Sequence, residues 1–114
     1  MKLTARQALE IGLELWEWLE DNPSKEKHEW PGWEKYERMA ADCPCCEYKD
    51  QQDSNDCGDC LIYWRLKLGL DNHCTYYDSP FLRWCNAETP RSSRFWAGKV
   101  AKLHREALEK LEKA

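Results

Sequence analysis

Four cysteines in two close pairs constrain the fold of this chain more than any other feature. Cys43 pairs with Cys46 and Cys57 with Cys60, in the spacing C-x2-C-x10-C-x2-C. The residues between the pairs are almost all polar, so they bury too little apolar surface to offset the entropy lost on ordering. Two such pairs supply the four thiolates of a tetrahedral zinc site. The spacing therefore predicts a zinc knuckle over residues 43–60.

Composition favours a metal over disulfides as the use of these thiols. The 114 residues include seven cysteines, an odd number that excludes complete pairing. The N-terminal residues 1–18 contain acidic and amide side chains where a secretory signal needs an apolar run, so we expect a cytosolic protein. Disulfides are rare in that compartment. No apolar run reaches the roughly 20 residues of a membrane span, and we expect no membrane partner.

The predicted zinc is structural. Four protein ligands close the coordination shell and leave no position for a substrate or a reactive water. Cys45 is expected to stay outside the site because the side chains of adjacent residues diverge. His73 or Cys74 is the alternative for one of the four ligands.

Helix signals in the rest of the chain predict a mainly α fold, a single helical domain over residues 1–114 with the knuckle inserted. Thr4 begins a capping box with Gln7, and Asn22-Pro23 ends the helix that follows. Ser79-Pro80 and Thr89-Pro90 each place a capping hydroxyl before a proline, which predicts helices to Trp84 and over 90–112. Apolar residues at helical spacing mark the inward faces of the first and last helices. They are Ala5, Ala8, Leu9, Gly12, Trp16 and Leu19, then Trp96, Val100, Leu103, Ala107 and Leu111.

Charged stripes run along both long helices beside the apolar ones. The net charge is −4, with the acidic residues concentrated in the first half of the chain. The acidic stripe of the first helix contains Glu10, Glu14 and Glu17, and the loop adds Asp50, Asp53, Asp56 and Asp59. The basic stripe of the last helix contains Arg91, Arg94, Lys102 and Arg105. We expect pairing with the acidic helix, or solvation, rather than strong non-specific nucleic-acid binding, because the chain as a whole is acidic.

No catalytic motif is recognisable, so the sequence predicts a non-enzymatic protein. The zinc-deaminase pattern, HExxH, G-x-S-x-G and the P-loop are all missing. His104 lies between Leu103 and Arg105 and is expected at the edge of the last helix, in contact with solvent. Most of the seven tryptophans fall at core spacing. Trp18 points away from Trp16 on the same helix, and is the candidate for a partner contact or for packing on the Trp30–Trp33 turn.

Taken together, these motifs resemble a group of small bacteriophage and prophage zinc-binding proteins. The resemblance covers about residues 8–110. It is carried by the segments LWEWL at 15–19, WPGWE at 30–34, CPCCEY at 43–48, CGDC at 57–60, Cys74 and SPFLRW at 79–84. This chain has Leu61 where the group usually has proline. The resemblance implies zinc binding, with Cys74 as a further candidate ligand, and a phage protein in the cytoplasm of its host bacterium. It implies no particular activity.

Two classes of function follow from these features. The first is a non-enzymatic phage accessory protein that inhibits a host protein of an antiphage defence system, binding it through Trp18, Glu10, Glu14 and Glu17. The second is a zinc-knuckle regulator that binds nucleic acid through the basic stripe. A third possibility, outside these two classes, is a sponge that sequesters a nucleotide signal between aromatic rings and arginines. The sequence does not determine the oligomeric state.

Overall fold

The fold was examined in a computed structural model that describes residues 3–36, 44–51, 61–62 and 79–113, without the side chains of residues 46, 47, 49 and 50. The described residues form four α-helices and contain no strand, which confirms the mainly α prediction. The helices are α1 (Ala5–Asp21), α2 (Pro44–Gln51), α3 (Pro80–Cys85) and α4 (Pro90–Lys113). Two short 3-10 helices, Lys27–Glu29 and Pro31–Glu34, follow α1.

Local capping chemistry sets the starts of α1, α3 and α4, as predicted, whereas α2 lies within the segment predicted as a zinc knuckle. The Thr4 hydroxyl accepts from the Gln7 backbone N–H at 3.1 Å, and the Gln7 side chain accepts from the Thr4 N–H at 3.0 Å. The Ser79 hydroxyl accepts from the backbone N–H of Leu82, and that of Thr89 accepts from the N–H of Ser92. Each bond satisfies an N–H that has no partner within its own helix.

The core is built where α4 packs along α1, with α2 against α1 and α3 against α4. Arg6 contacts Glu112 near one end of the pair, and Ser24 contacts Ser93 near the other, so α1 and α4 run antiparallel. The buried face of α1 comprises Ala8, Leu9, Ile11, Gly12, Leu15, Trp16 and Leu19. It is wider than the predicted stripe because elements other than α4 also cover this helix. Ala5 is only partly buried.

Two aromatic groups extend this core. The Trp16 ring meets the edges of Trp84 and Phe81 on α3, with centroid separations of 4.8 and 6.1 Å. Edge-to-face packing of this kind is favourable for large rings. In the Trp30–Trp33 turn the two indoles lie 5.0 Å apart in the same geometry. The Trp16 contacts attach α3 to α1, and buried Trp30 joins the turn after α1 to the core.

One prediction for the last helix is wrong at its end. Val100 and Leu103 are buried, but Leu111 is 37% exposed. A helix rises about 1.5 Å per residue, so the 24-residue α4 is much longer than the 17-residue α1. Leu111 precedes Glu112, which contacts Arg6 in the first turn of α1, so Leu111 lies at the very end of the α1–α4 contact.

Candidate nucleic-acid interface

The residues predicted to bind zinc lie mostly outside the described part of the chain. Cys43, Cys57 and Cys60 are not described, nor are His73 and Cys74. Cys46 lies in the first turn of α2, although its side chain is not described. Among the described residues alone, no three histidine, cysteine or acidic side chains come close enough to hold a metal. The zinc site therefore stays a prediction.

Cys45 and His104 form a contact in the core that the sequence did not reveal. Cys45 is 1% exposed, and its sulfur lies 3.9 Å from the Nε2 atom of His104. His104 is 2% exposed, so its expected place at a solvated helix edge is wrong. Its ring lies against Gly12 of α1, where the absence of a side chain leaves room for an imidazole.

The His104 ring is held as a neutral imidazole. Its Nδ1 donates to the Val100 carbonyl at 2.8 Å, which leaves the lone pair on Nε2, facing Cys45. Burial disfavours the charged form and lowers the pKa of His104 from 6.5 to about 4. The backbone bond to Val100 opposes this shift only in part. His104 is therefore a core residue that packs between α1 and α4.

The acidic stripe of α1 is on the surface, but its charges have partners within the chain. Glu10 lies 3.6 Å from Arg6, and Glu17 accepts from Arg105 at 3.2 Å. Glu14 accepts from the Tyr36 hydroxyl at 2.9 Å. Trp18 is partly buried against the core. These pairings weaken the negative field that the stripe alone would produce.

The basic stripe forms one wall of a groove between α4 and the C-terminal part of α1, called here the α4 groove. Its volume is about 480 Å³. All four basic residues predicted from the sequence line it, and the structure adds Lys99, Phe95, Gly98 and the carboxylate of Glu20. Among the residues that the structure describes, five cationic side chains, one exposed aromatic ring and one carboxylate thus line the groove.

Two arginines of the α4 groove are held by α1. Arg94 Nε donates to the backbone carbonyl of Glu20 at 3.3 Å, and Arg105 pairs with Glu17. Both members of the Arg105–Glu17 pair are about half exposed, at 46% and 48%. An exposed pair of this kind contributes little stability, so an anionic ligand can compete for the arginine. Arg91 and Lys102 form no ion pair within the described part of the chain and project free cations into the groove.

Phe95 and Lys99 are the groove residues that sequence reasoning missed. Phe95 is 53% exposed, beside the partly buried Trp96 that was correctly placed on the apolar stripe. The Lys99 amine lies 5.3 Å from the centre of the Phe95 ring. The spacing 95, 99, 102 follows one helical face, and that signal was present in the sequence.

A nucleophilic thiol is not favoured on the described surface. Cys85 at the end of α3 is exposed, but partial desolvation raises the pKa of its thiol. Reactive cysteines need the opposite shift, because the thiolate is the nucleophile.

Comparison of the chain with protein-family models, with characterised proteins and with solved structures finds no match. The resemblance to bacteriophage proteins therefore stays a prediction. No described helix combines the length and apolar character that crossing a membrane requires.

Proposed function

We propose that this protein is a non-enzymatic binding protein that holds nucleic acid in the α4 groove. The observation that carries this proposal is the convergence of Arg91, Arg94, Lys99, Lys102 and Arg105 on one groove. Phosphate contacts of this kind supply most of the affinity of non-specific nucleic-acid binding. Among the described lining residues Glu20 is the one carboxylate, and Glu17 nearby is engaged by Arg105, so little of the described negative charge opposes an anion in the groove.

Salt dependence tests this proposal. Labelled oligonucleotides titrated by fluorescence anisotropy should bind at low salt and weaken steeply as salt is added. The logarithm of the affinity should fall by about 0.7 per phosphate contact on a single strand for each unit of log salt. The variant R91Q/K102Q removes two cations that form no described ion pair, so its slope should be smaller by about 1.4 and its affinity at least roughly 10-fold lower.

A charge-matched variant provides the control. Lys110 and Lys113 are exposed near the end of α4, outside the α4 groove. K110Q/K113Q changes the net charge by the same amount and should bind almost as wild type does. The proposal would be wrong if no DNA or RNA changed the anisotropy at low salt. If R91Q/K102Q and K110Q/K113Q lost the same amount of affinity, binding would depend on net charge and not on the α4 groove.

We also propose that a single structural zinc stabilises the segment 43–60 through Cys43, Cys46, Cys57 and Cys60. The native mass of the purified protein should exceed its denatured mass by one zinc per chain. Closed four-thiolate sites contribute directly to folding, so a strong chelator should also lower the melting temperature. A metal-free protein with masses reduced in steps of two hydrogens would indicate disulfides. Additional mass equal to a nucleotide would favour the nucleotide-signal alternative.

Inhibition of a host defence protein is the second candidate. It is favoured by the exposure of the acidic stripe, in which the Glu10 side chain is 55% and the Glu17 side chain 48% exposed beside partly buried Trp18. In affinity purification from host lysate, E14K/E17K should lose a protein that wild type retains. The control E34K/E109K makes the same charge change at other exposed sites and should retain it. Equal retention by all three proteins would exclude the acidic stripe as the contact.

A further inference from the structure

We infer that Phe95 is a base-stacking residue and that the α4 groove therefore takes single-stranded nucleic acid in preference to a duplex. This inference rests on the proposed nucleic-acid function and specifies its ligand. It starts from the position of one ring. Within the described ranges only Phe95 and Leu111 are large apolar side chains with high exposure. Leu111 lies at the end of the α1–α4 pair and does not line the groove, whereas Phe95 lies among the basic residues of the groove.

The Phe95 ring is positioned by its neighbours before any ligand arrives. It meets the Trp96 ring edge-to-face at a centroid separation of 4.9 Å and an interplanar angle of 87°. Trp96 is itself packed against the core and lies 5.2 Å from the guanidinium carbon of Arg83. A ring held in this way loses little conformational freedom when a base stacks on it, so less of the binding free energy is lost on ordering.

The cations around the ring are spaced to follow a strand. Arg91 lies about one turn before Phe95 on α4 and Arg94 directly precedes it, whereas Lys99 and Lys102 lie one and two turns after it. Phosphates on both sides of a stacked base would therefore meet cations on both sides of the ring. Aromatic platforms flanked by basic residues are the usual means of binding single strands without sequence preference.

The cations of the groove would bind any anionic polymer. The Phe95 ring adds a preference for one class of ligand. A duplex keeps its bases stacked within the helix, so it can contact the cations while Phe95 gains little. An acidic protein segment likewise satisfies the cations, but its carboxylates gain nothing from a phenyl face. Only a strand with unstacked bases uses both features of the groove.

The test compares a single-stranded oligonucleotide with a hairpin duplex of the same sequence at fixed low salt. Loss of one base–aromatic stack should weaken single-strand binding of F95A by roughly 10-fold while duplex binding stays unchanged. F95W keeps an aromatic face and should bind the single strand at least as tightly as wild type. The salt slope of F95A should equal that of wild type, since no phosphate contact has been removed.

Each other outcome overturns a defined part of the argument. Equal binding of strand and hairpin with no effect of F95A overturns the stacking inference but leaves the proposed function standing. Equal or tighter binding of a polyglutamate peptide, unaffected by F95A, overturns the single-strand assignment. No binding of either nucleic acid overturns both proposals. Circular dichroism of F95A should match wild type, because Phe95 is more than half exposed.

Discussion

Substitution of Gly12 by alanine is expected to destabilise the protein by about 2 kcal/mol, because the new methyl group overlaps a buried ring. A Cβ at this position would lie 2.6 Å from Nε2 and 2.7 Å from Cδ2 of His104. The ring cannot move away easily, since it is buried and bonded to the Val100 carbonyl. Either α1 and α4 separate or His104 leaves its rotamer. Denaturant unfolding followed by circular dichroism measures the loss.

Gly98→Ala is the matched control. Gly98 is also within a helix, and its Cβ would approach Glu20 Oε2 at 2.7 Å, the mobile end of a partly exposed side chain. Glu20 can move, so the higher helix propensity of alanine should dominate and stabilise this variant by up to about 1 kcal/mol. Because both changes replace glycine by alanine, their effects on the unfolded chain cancel in the comparison. In an H104A background, G12A should cease to be destabilising; a persistent loss would show that the His104 contact is not its cause.

Acidification is expected to destabilise the protein through His104, by about 2 kcal/mol between pH 7 and pH 5. The pKa of His104 is 6.5 in the unfolded chain and about 4 in the folded protein. Above pH 6.5 the ring is neutral in both states and makes no contribution to the pH dependence. As the pH falls below 6.5 the unfolded state binds a proton that the folded state excludes, so the free energy of unfolding decreases. The decrease is complete once the pH is below about 4.

The variant H104Q isolates this effect. Glutamine has no proton to gain in this range, and its amide can still donate a hydrogen bond. Urea unfolding at pH 7, 6 and 5 should give a smaller loss for H104Q than for wild type, with the difference near 2 kcal/mol at pH 5. Parallel pH dependences for the two proteins would mean that the folded protein admits a charged His104, in conflict with its burial against Gly12 and Cys45.

The starts of α1, α3 and α4 were predictable from sequence because they depend on neighbours in the chain, whereas α2 was not predicted. The hydroxyls of Thr4, Ser79 and Thr89 each cap a backbone N–H three residues ahead. The predicted end of the last helix at 112 differs by one residue from the observed Lys113. Such bonds form within one turn, so the identity of a few consecutive residues decides them.

The candidate site was only partly predictable. Arg91, Arg94, Lys102 and Arg105 were recognised as a stripe, and expected to pair with α1 or remain solvated. Arg105 does pair with Glu17, but the groove and the exposure of Phe95 depend on where α1 stops covering α4. Helical spacing placed Trp96 on the apolar stripe, where it is partly buried, but the exposure of Phe95 in a groove became visible only in the packed structure.

The amino-acid sequence by itself determined the helical class, the starts of α1, α3 and α4 and the two charged stripes, since periodicity and capping are properties of short segments. The tertiary structure decided which face of each helix is covered by a neighbouring element. It placed His104 in the core because Gly12, at a distance of 92 residues in sequence, leaves space for the ring at the helix crossing. It left Phe95 exposed among cations because no described element covers the Phe95 ring. Burial depends on the partner surface, and periodicity within one helix does not contain that information.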